Sequence, residues 1–217
     1  MDNNSNNKKT TIVGYGGHAF VAVDILLAMK MNITTYCDEE EKSNNPFHLS
    51  YLGKEKEFFS SSSYLNNQLS WQFFISIGNN SIREKVFLFL MDRKASIINA
   101  IHPKASIAPS CIVGNGVMVA TNAAINPICK IGNGVICNTS CSIDHECIID
   151  DFAHIAPGAV LSGNVKIGKR TFVGANAAIK QGVKICDDVI IGMGACVVKN
   201  ITEPGTYIGN PAKLLVK

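Results

Sequence analysis

The 217-residue chain is poor in aromatic residues, which make up 7% of it, and it has no block of lysines and arginines. With a net charge of only +3, it carries no sign of a nucleic-acid-binding surface. No apolar run is long enough to cross a bilayer, and the asparagine-rich residues 1–9 lack the apolar stretch of a signal peptide. We therefore expect a cytoplasmic protein without membrane insertion, whose core is built from aliphatic and small side chains.

The chain also lacks any C-x-x-C pair, although it contains eight cysteines. Most of them stand at positions of a six-residue repeat, over residues 101–202, that require inward-pointing side chains. We therefore expect buried, reduced thiols rather than disulfides or a nucleophile. No metal is expected either, because the repeat carries no closely spaced histidine pair of the kind that a γ-class carbonic anhydrase uses for zinc.

A six-residue repeat runs without insertion over residues 101–202. The first position of each block is Ile, Val or Leu except at Cys137, and the fifth is always small or β-branched. Such a period predicts one short strand and one corner per block. Three blocks then close a coil of eighteen residues, and successive coils stack at about 4.8 Å. The sequence thus predicts a parallel β-solenoid over residues 101–217, including a C-terminal tail.

Residues 1–100 differ in character and predict a small Rossmann-like α/β unit with a parallel sheet. We expect strands at residues 9–13, 33–36 and 71–77, helices at 20–30 and 81–93, and an irregular, serine-rich segment at 40–63.

A glycine-rich turn at residues 14–19 follows the first expected strand and opens the first expected helix. Its G-x-G-x-x-A spacing suits a phosphate held at a helix N-terminus. Because the unit is about half the size of a dinucleotide domain, a mononucleotide-linked ligand is favoured over NAD, and a turn without a ligand is the other alternative. Asp38, at the end of the second strand, could meet a base or ribose. Gly78 and Asn79 follow the third strand at the same rim.

The polar residues of the repeat concentrate in residues 138–154. His145 falls at the third position of its block, hence at a corner, with Glu146 beside it and Gly163 one coil above. A histidine base suits acyl transfer at neutral pH. The glycine would leave room for a substrate and expose an N–H that could stabilise an oxyanion. A solvated corner histidine without function is the alternative. His154 is expected elsewhere on the surface.

Six separated motifs together resemble the PglD/NeuD-like sugar acyltransferases of the hexapeptide-repeat superfamily: GYGGHA, FISIGNN, AIHP, NTSCSIDHEC, APGAVLSGNVKIG and YIGNPAK. The resemblance implies a left-handed parallel β-helix, a homotrimer, and acetyl-CoA bound between neighbouring helices. It also implies acetyl transfer to the 4-amino group of a nucleotide-linked amino-deoxy sugar, with UDP the expected carrier, in bacterial glycan or glycoprotein precursor synthesis. O-acetylation of sialic acid or another sugar, and a non-catalytic nucleotide-sugar-binding trimeric scaffold, are the alternatives.

The same resemblance implies a role for each matched residue. Residues 1–100 would bind the nucleotide sugar and residues 101–217 the acyl-CoA. His145 would be the general base, tuned by Glu146. The acyl-CoA contacts would be His154, Gly163, Ala175 and Met193. The substrate-binding residues would be Gly14, Gly16, Gly17, His18, Asp38, Glu39, Gly78, Asn79 and Asn138. Residues 209–213 would close over the CoA arm.

Overall fold

The computed structural model describes residues 8–216, and its contacts divide the chain into two compact units between Ala100 and Ile101. The helices and strands of the first unit are β1 Lys9–Val13, α1 Gly17–Ala28, β2 Ile33–Cys37, β3 Ser50–Tyr51, α2 Glu55–Ser60, α3 Ser62–Leu65, a 3-10 helix Gln68–Ser70, β4 Trp71–Ile75 and α4 Asn80–Asp92.

The first unit is a four-stranded parallel sheet with strand order β3-β2-β1-β4, which confirms the α/β prediction. Central strand β1 pairs with β2 on one side and with β4 on the other. Because the three strands are parallel, the turns that follow them open at one edge of the sheet, which is where such sheets usually bind ligands.

The prediction that residues 40–63 are irregular is wrong in its second half, where α2 and α3 form. Phe58 and Phe59 are both buried. Phe58 packs on Trp71 with ring centroids 5.0 Å apart, and Phe59 packs on Phe73 at 4.8 Å. Burial of these rings stabilises α2, and the buried ring of Tyr64 in α3 packs on Phe59 with centroids 4.4 Å apart. The polar, serine-rich composition concealed both helices.

The second unit is a parallel β-helix, as the six-residue period predicts. Its first strand, β5 Ala100–Ile101, begins at the last residue of the first unit. The strands that follow are β6 Ser106–Ile107, β7 Ile112–Val113, β8 Met118–Val119, β9 Ala124–Ile125, β10 Lys130–Ile131, β11 Ile136–Cys137, β12 Ser142–Ile143, β13 Ile148–Ile149, β14 His154–Ile155, β15 Val160–Leu161, β16 Lys166–Ile167, β17 Phe172–Val173, β18 Ala178–Ile179, β19 Lys184–Ile185, β20 Val189–Ile191, β21 Cys196–Val197, β22 Gly205–Ile208 and β23 Lys213–Leu214.

These strands form three sheets along the sides of the helix. Sheet I is β7-β10-β13-β16-β19, sheet II is β6-β9-β12-β15-β18-β21, and sheet III is β5-β8-β11-β14-β17-β20-β22-β23. Stacked strands pair residues that are eighteen apart, for example Lys130 with Ile148 and Ile136 with His154. Up to β21, a residue of one coil therefore lies beneath the residue eighteen positions later. In the last coil the spacing falls to sixteen, as in the pairing of Ile190 with Thr206 and of Ile185 with Ile201, so the strict six-residue register predicted up to residue 202 ends before the last strands.

The interior of the β-helix is filled by the aliphatic and small residues of the first and fifth block positions. Cys129, Cys137, Cys141 and Cys147 are buried among them, whereas Cys111 is half-buried. All eight cysteines are free. Burial raises the pKa of the Cys147 thiol to about 12, so this group is not a thiolate at neutral pH.

The corners of the β-helix share one backbone conformation. The fourth block position has a positive φ at every sixth residue from Gly116 to Gly194. Glycine and asparagine reach this left-handed region at least cost, which explains their frequency there. Ile128, at φ 67°, and Glu146, at φ 61°, occupy it as well.

We expect Ile128→Asn to raise the free energy of unfolding by about 1 kcal/mol, because the left-handed region costs a β-branched residue about 1–2 kcal/mol. Little burial is lost, since the side chain is 61% exposed. Chemical denaturation measures the change. Ile112→Asn is the control, because Ile112 is 63% exposed and lies in a strand. An equal gain in both variants would contradict the explanation from φ.

Candidate functional site

His145 lies at the corner between β12 and β13, and its side chain is 47% exposed. Its Nδ1 is 3.0 Å from Oε2 of Glu146. A carboxylate only accepts hydrogen bonds, so in the neutral form of the imidazole Nδ1 carries the proton and Nε2 the lone pair. Successive side chains of an extended strand point to opposite faces. His145 and Glu146 lie at a corner instead, where Glu146 has a left-handed backbone with φ 61°.

Asp144 supports the same corner and was missed by the sequence reasoning. Its Oδ1 accepts the His145 N–H at 2.8 Å and the Asn126 amide at 2.9 Å. The bond from Asn126, and then that from His145, hold the pKa of Asp144 below its usual value. Its Oδ2 is 3.9 Å from Nε2 of His145. The eighteen-residue spacing between Asn126 and Asp144 is the signal that could have found this pair.

Gly163 lies one coil above His145, as its spacing predicts. A Cβ at Gly163 would be 2.5 Å from both Cε1 and Nε2 of His145. The glycine therefore makes room for the imidazole itself, a contact that the sequence analysis did not anticipate, and Gly163 is buried. Within residues 8–216 its N–H has no acceptor.

His154 is only 7% exposed, so the prediction of a surface position is wrong. Its Nε2 is 3.1 Å from Nδ2 of Asn138, and its ring lies edge-on to Phe172 with centroids 5.0 Å apart. Oδ1 of Asn138 accepts the Thr139 N–H at 2.8 Å, which leaves Nδ2 to donate to the imidazole. The stacking of coils thus joins two predicted site residues that the linear sequence did not connect.

Ala175 and Met193 stand one coil apart at the corner that follows sheet III, where Met193 is 82% exposed. His145 and Gly163 stand instead at the corner that follows sheet II. Of the predicted acyl-CoA contacts, Gly163 therefore lies on a different edge of the β-helix from Ala175 and Met193, whereas His154 lies within strand β14 of sheet III.

The tail at residues 209–213 joins β22 to β23 and is fixed to the last coil by the Ala212 N–H, which donates to the carbonyl of Cys196 at 2.8 Å. With Val198, Lys199 and Tyr207, it lines a cavity of about 330 Å³. The tail thus borders an open cavity at the C-terminal end of the β-helix.

In the first unit, the glycine-rich turn lies between β1 and α1. Gly14 has φ 85°, and a Cβ there would be 2.5 Å from Cγ1 of Ile77, so glycine is required on both counts. The N-cap residue of α1 is Gly16, which has no side chain to cap the helix. Gly16 and Gly17 have open space beside their α-carbons. The N-terminus of α1 is therefore accessible to an anion.

His18 and Gly78 bring the two turns together. A Cβ at Gly78 would lie 3.7 Å from Cγ of His18, so the turns after β1 and β4 meet at one rim, as predicted. Burial, followed by the charge of Arg83, lowers the pKa of His18 to about 4, which keeps its imidazole neutral at pH 7. The side chain of Asn79 caps α4 by accepting the Ile82 N–H at 3.0 Å, a structural role that the sequence analysis did not expect.

Asp38 ties the glycine-rich turn to β2. Its carboxylate accepts the N–H groups of Tyr15 at 2.6 Å and Glu39 at 2.7 Å, and it lies 3.1 Å from Nζ of Lys42. Glu39 is 75% exposed and pairs with Lys54 at 3.3 Å. Asp38 thus has structural partners in addition to its predicted contact with a base or ribose.

We expect Asp38→Ala to lower the free energy of unfolding by about 1–3 kcal/mol, because two backbone N–H groups lose their acceptor. Glu39→Ala is the neighbouring control and should change it by less than about 0.5 kcal/mol. Thermal or urea unfolding measures both. Equal effects of the two substitutions would rule out a special role of the Asp38 carboxylate in holding the turn.

No group of three or more His, Cys, Asp or Glu side chains within residues 8–216 is arranged to bind a metal ion. In the same range, no helix has the length and apolar character needed to span a bilayer.

Two family models match the chain: the PglD N-terminal domain over residues 9–89 and the hexapeptide repeat of succinyl-transferase over residues 164–199. Among curated proteins, a putative acetyltransferase of Staphylococcus aureus (strain MRSA252) is 34% identical over 67 residues. That match covers 31% of this chain and 34% of the relative, so the chain spans about a third of that protein.

Solved structures match over nearly the whole chain. The acetyltransferase domain of PglB from Neisseria gonorrhoeae FA1090, in complex with acetyl coenzyme A, is 31% identical with a TM-score of 0.89, covering 96% of this chain and 100% of that one. PerB from Caulobacter crescentus, in complex with CoA and GDP-perosamine, is 32% identical with a TM-score of 0.87. The match covers 96% of this chain and 97% of that one. The chain therefore belongs to the PglD/NeuD-like sugar acyltransferases, the left-handed β-helix family that its six motifs predict.

Proposed function

We propose that the protein is an acetyl-CoA-dependent N-acetyltransferase that acts on the 4-amino group of a nucleotide-linked amino-deoxy sugar, with UDP as the expected carrier. The observation that carries the proposal is the His145 corner, where Glu146 holds Nδ1 and leaves Nε2 free to accept a proton. The similarity to proteins solved with acetyl coenzyme A, and with CoA and GDP-perosamine, supports this choice of donor and acceptor.

In the proposed reaction, the amine nitrogen attacks the carbonyl carbon of the thioester. Nε2 of His145 accepts the proton that the nitrogen loses, and the Glu146 carboxylate stabilises the imidazolium that forms. The Gly163 N–H is the proposed donor to the oxyanion. When the C–S bond breaks, the CoA thiolate takes the proton from the imidazolium. Transfer is direct, so no acyl-enzyme forms and no cysteine is needed.

A homotrimer is part of the proposal, because three of the proposed acyl-CoA contacts are divided between two edges of one chain, with Gly163 on one and Ala175 and Met193 on the other. In a closed ring of three copies, the His145 edge of one subunit would face the Met193 edge of the next and complete the site. The outward side chains of sheet II are small or apolar, such as Val160 and Ala178. Those of sheet I include Lys130, Lys166 and Lys184, which suit a face left in solvent. Light scattering on the purified protein should give three times the chain mass.

Acetyl-CoA should be incubated with UDP- and GDP-linked 4-amino-deoxy sugars and with free sialic acid, while release of the CoA thiol is followed. We expect transfer to a nucleotide-linked amine, giving a product that resists hydroxylamine, because an amide survives conditions that cleave an ester. Activity on free sialic acid alone would overturn the proposal in favour of O-acetylation. Binding of a nucleotide sugar without transfer or CoA binding would indicate a scaffold, and an NADH fluorescence titration would expose a dinucleotide site.

A further inference from the structure

Arg83 is almost completely buried, which is rare for an arginine and costly in the absence of compensating contacts. It lies in the first turns of α4, directly after the loop that borders the glycine-rich turn. Nη1 donates to the carbonyls of Ile77 at 2.9 Å and Gly78 at 3.0 Å, and Nη2 donates to Oδ1 of Asn80 at 2.8 Å. Burial lowers the pKa of Arg83 to about 9, so the side chain is still a cation at pH 7.

These hydrogen bonds fix the direction of two peptide groups. In a planar trans peptide, the carbonyl and the following N–H point in opposite directions. With the carbonyls of Ile77 and Gly78 turned toward Arg83, the N–H groups of Gly78 and Asn79 point away from the guanidinium. Neither N–H has an acceptor in the part of the chain that the structure describes. Consecutive N–H groups turned to one side are a common way of binding an anion.

The loop at residues 77–79 and the N-terminus of α1 border the same rim, because Gly78 is beside His18. Gly16 and Gly17 leave open space there. The neutral His18 can contribute a hydrogen bond but no charge, whereas Arg83 contributes a charge from beneath the loop. Its electrostatic influence reaches the rim, since Arg83 helps to lower the pKa of His18.

We propose that Arg83 is a positioning residue that turns the Gly78 and Asn79 N–H groups toward the diphosphate of the bound nucleotide sugar, opposite the N-terminus of α1. The inference rests on the proposed function, because that function supplies the diphosphate. A diphosphate would thus be held between two sets of backbone donors, and Arg83 would act on it through the loop and through its charge, without touching it.

Isothermal titration calorimetry on R83M tests this, with inorganic pyrophosphate, UDP and GDP as probes and uridine and guanosine as the matching ligands without phosphate. We expect R83M to weaken diphosphate binding at least tenfold, and to leave nucleoside and acetyl-CoA affinities within twofold of the parent. R83K keeps the charge but loses the contact through two guanidinium nitrogens. Its diphosphate affinity should lie between those of the parent and R83M. R93M removes an exposed cation of the same segment and should bind every probe like the parent.

A merely structural role would weaken nucleoside and diphosphate binding together, so parallel losses would overturn the proposal. The proposal would also be overturned if R83M bound diphosphate as tightly as the parent does. If the parent itself binds no diphosphate, the proposed function fails and the inference fails with it.

A second measurement needs no substitution and decides the case if R83M does not fold. Amide resonances of Gly78 and Asn79 in the unmodified protein should shift when pyrophosphate is added. If these two resonances stay unmoved while those of Gly16 and Gly17 shift, α1 binds the anion alone and the role assigned to Arg83 is wrong.

Discussion

His145→Ala is expected to lower kcat for acetyl transfer by about 10²–10⁴-fold, the usual contribution of a general base. The fold should survive, because the side chain is 47% exposed and its hydrogen bond is to the neighbouring Glu146. The melting temperature and the oligomer mass should therefore match those of the parent, and acetyl-CoA should still bind.

Two further variants sharpen this experiment. Glu146→Gln keeps an acceptor for the Nδ1 proton but removes the charge that stabilises the imidazolium, so its kcat should fall less than that of His145→Ala. His48→Ala is the control, because His48 is exposed in the first unit and takes no part in the His145 corner. Turnover of His145→Ala close to that of the parent would show that this histidine is not the base.

Gly163→Ala is expected to lower kcat by about 10²-fold, because the added Cβ would displace the imidazole that now lies beneath Gly163. The contact would be 2.5 Å to both Cε1 and Nε2 of His145, which is too short to persist. The exposed ring can swing aside, so the effect should fall on activity more than on stability. A displacement of about 1 Å at a reacting group can cost two orders of magnitude in rate.

Gly182→Ala is the matched control for the loss of a glycine. An added Cβ there would have no atom within 4 Å, but Gly182 has φ 73°, so alanine is strained at this position without touching His145. We expect Gly182→Ala to lower the melting temperature and leave kcat within about twofold. A crystal structure of Gly163→Ala should show the imidazole rotated away from Glu146. An unmoved ring together with normal turnover would refute the steric argument.

The β-helix could be predicted from the sequence because its structure is periodic along the chain. A strict six-residue count specifies which residue points inward, where each corner falls and which residue lies one coil above. That count places Gly163 over His145 without any knowledge of distant contacts. It also accounts for the left-handed corners, where glycine and asparagine recur.

Features that depend on contacts between separated residues could not be predicted in this way. The burial of His154 against Asn138 and Phe172 reflects packing on the outside of sheet III, which the inward-facing pattern does not describe. In the sequence, Arg83 does not differ from an ordinary charged residue near the start of a helix. Its role depends on hydrogen bonds to carbonyl groups of the preceding loop. Every residue has a carbonyl group, so the sequence does not indicate which ones Arg83 contacts.

The eighteen-residue pairing makes the β-helix intolerant of single-residue insertions. One extra residue within positions 147–162 would bring Ser162 over His145 in place of Gly163 and put a side chain where the imidazole lies. The same slip would turn the inward residues of every later coil toward solvent, as a slip of register does in any sheet. Length variation among relatives should therefore be confined to loops that leave the β-helix and rejoin it at the same corner. Such loops preserve the strand register on which both the core and the site depend.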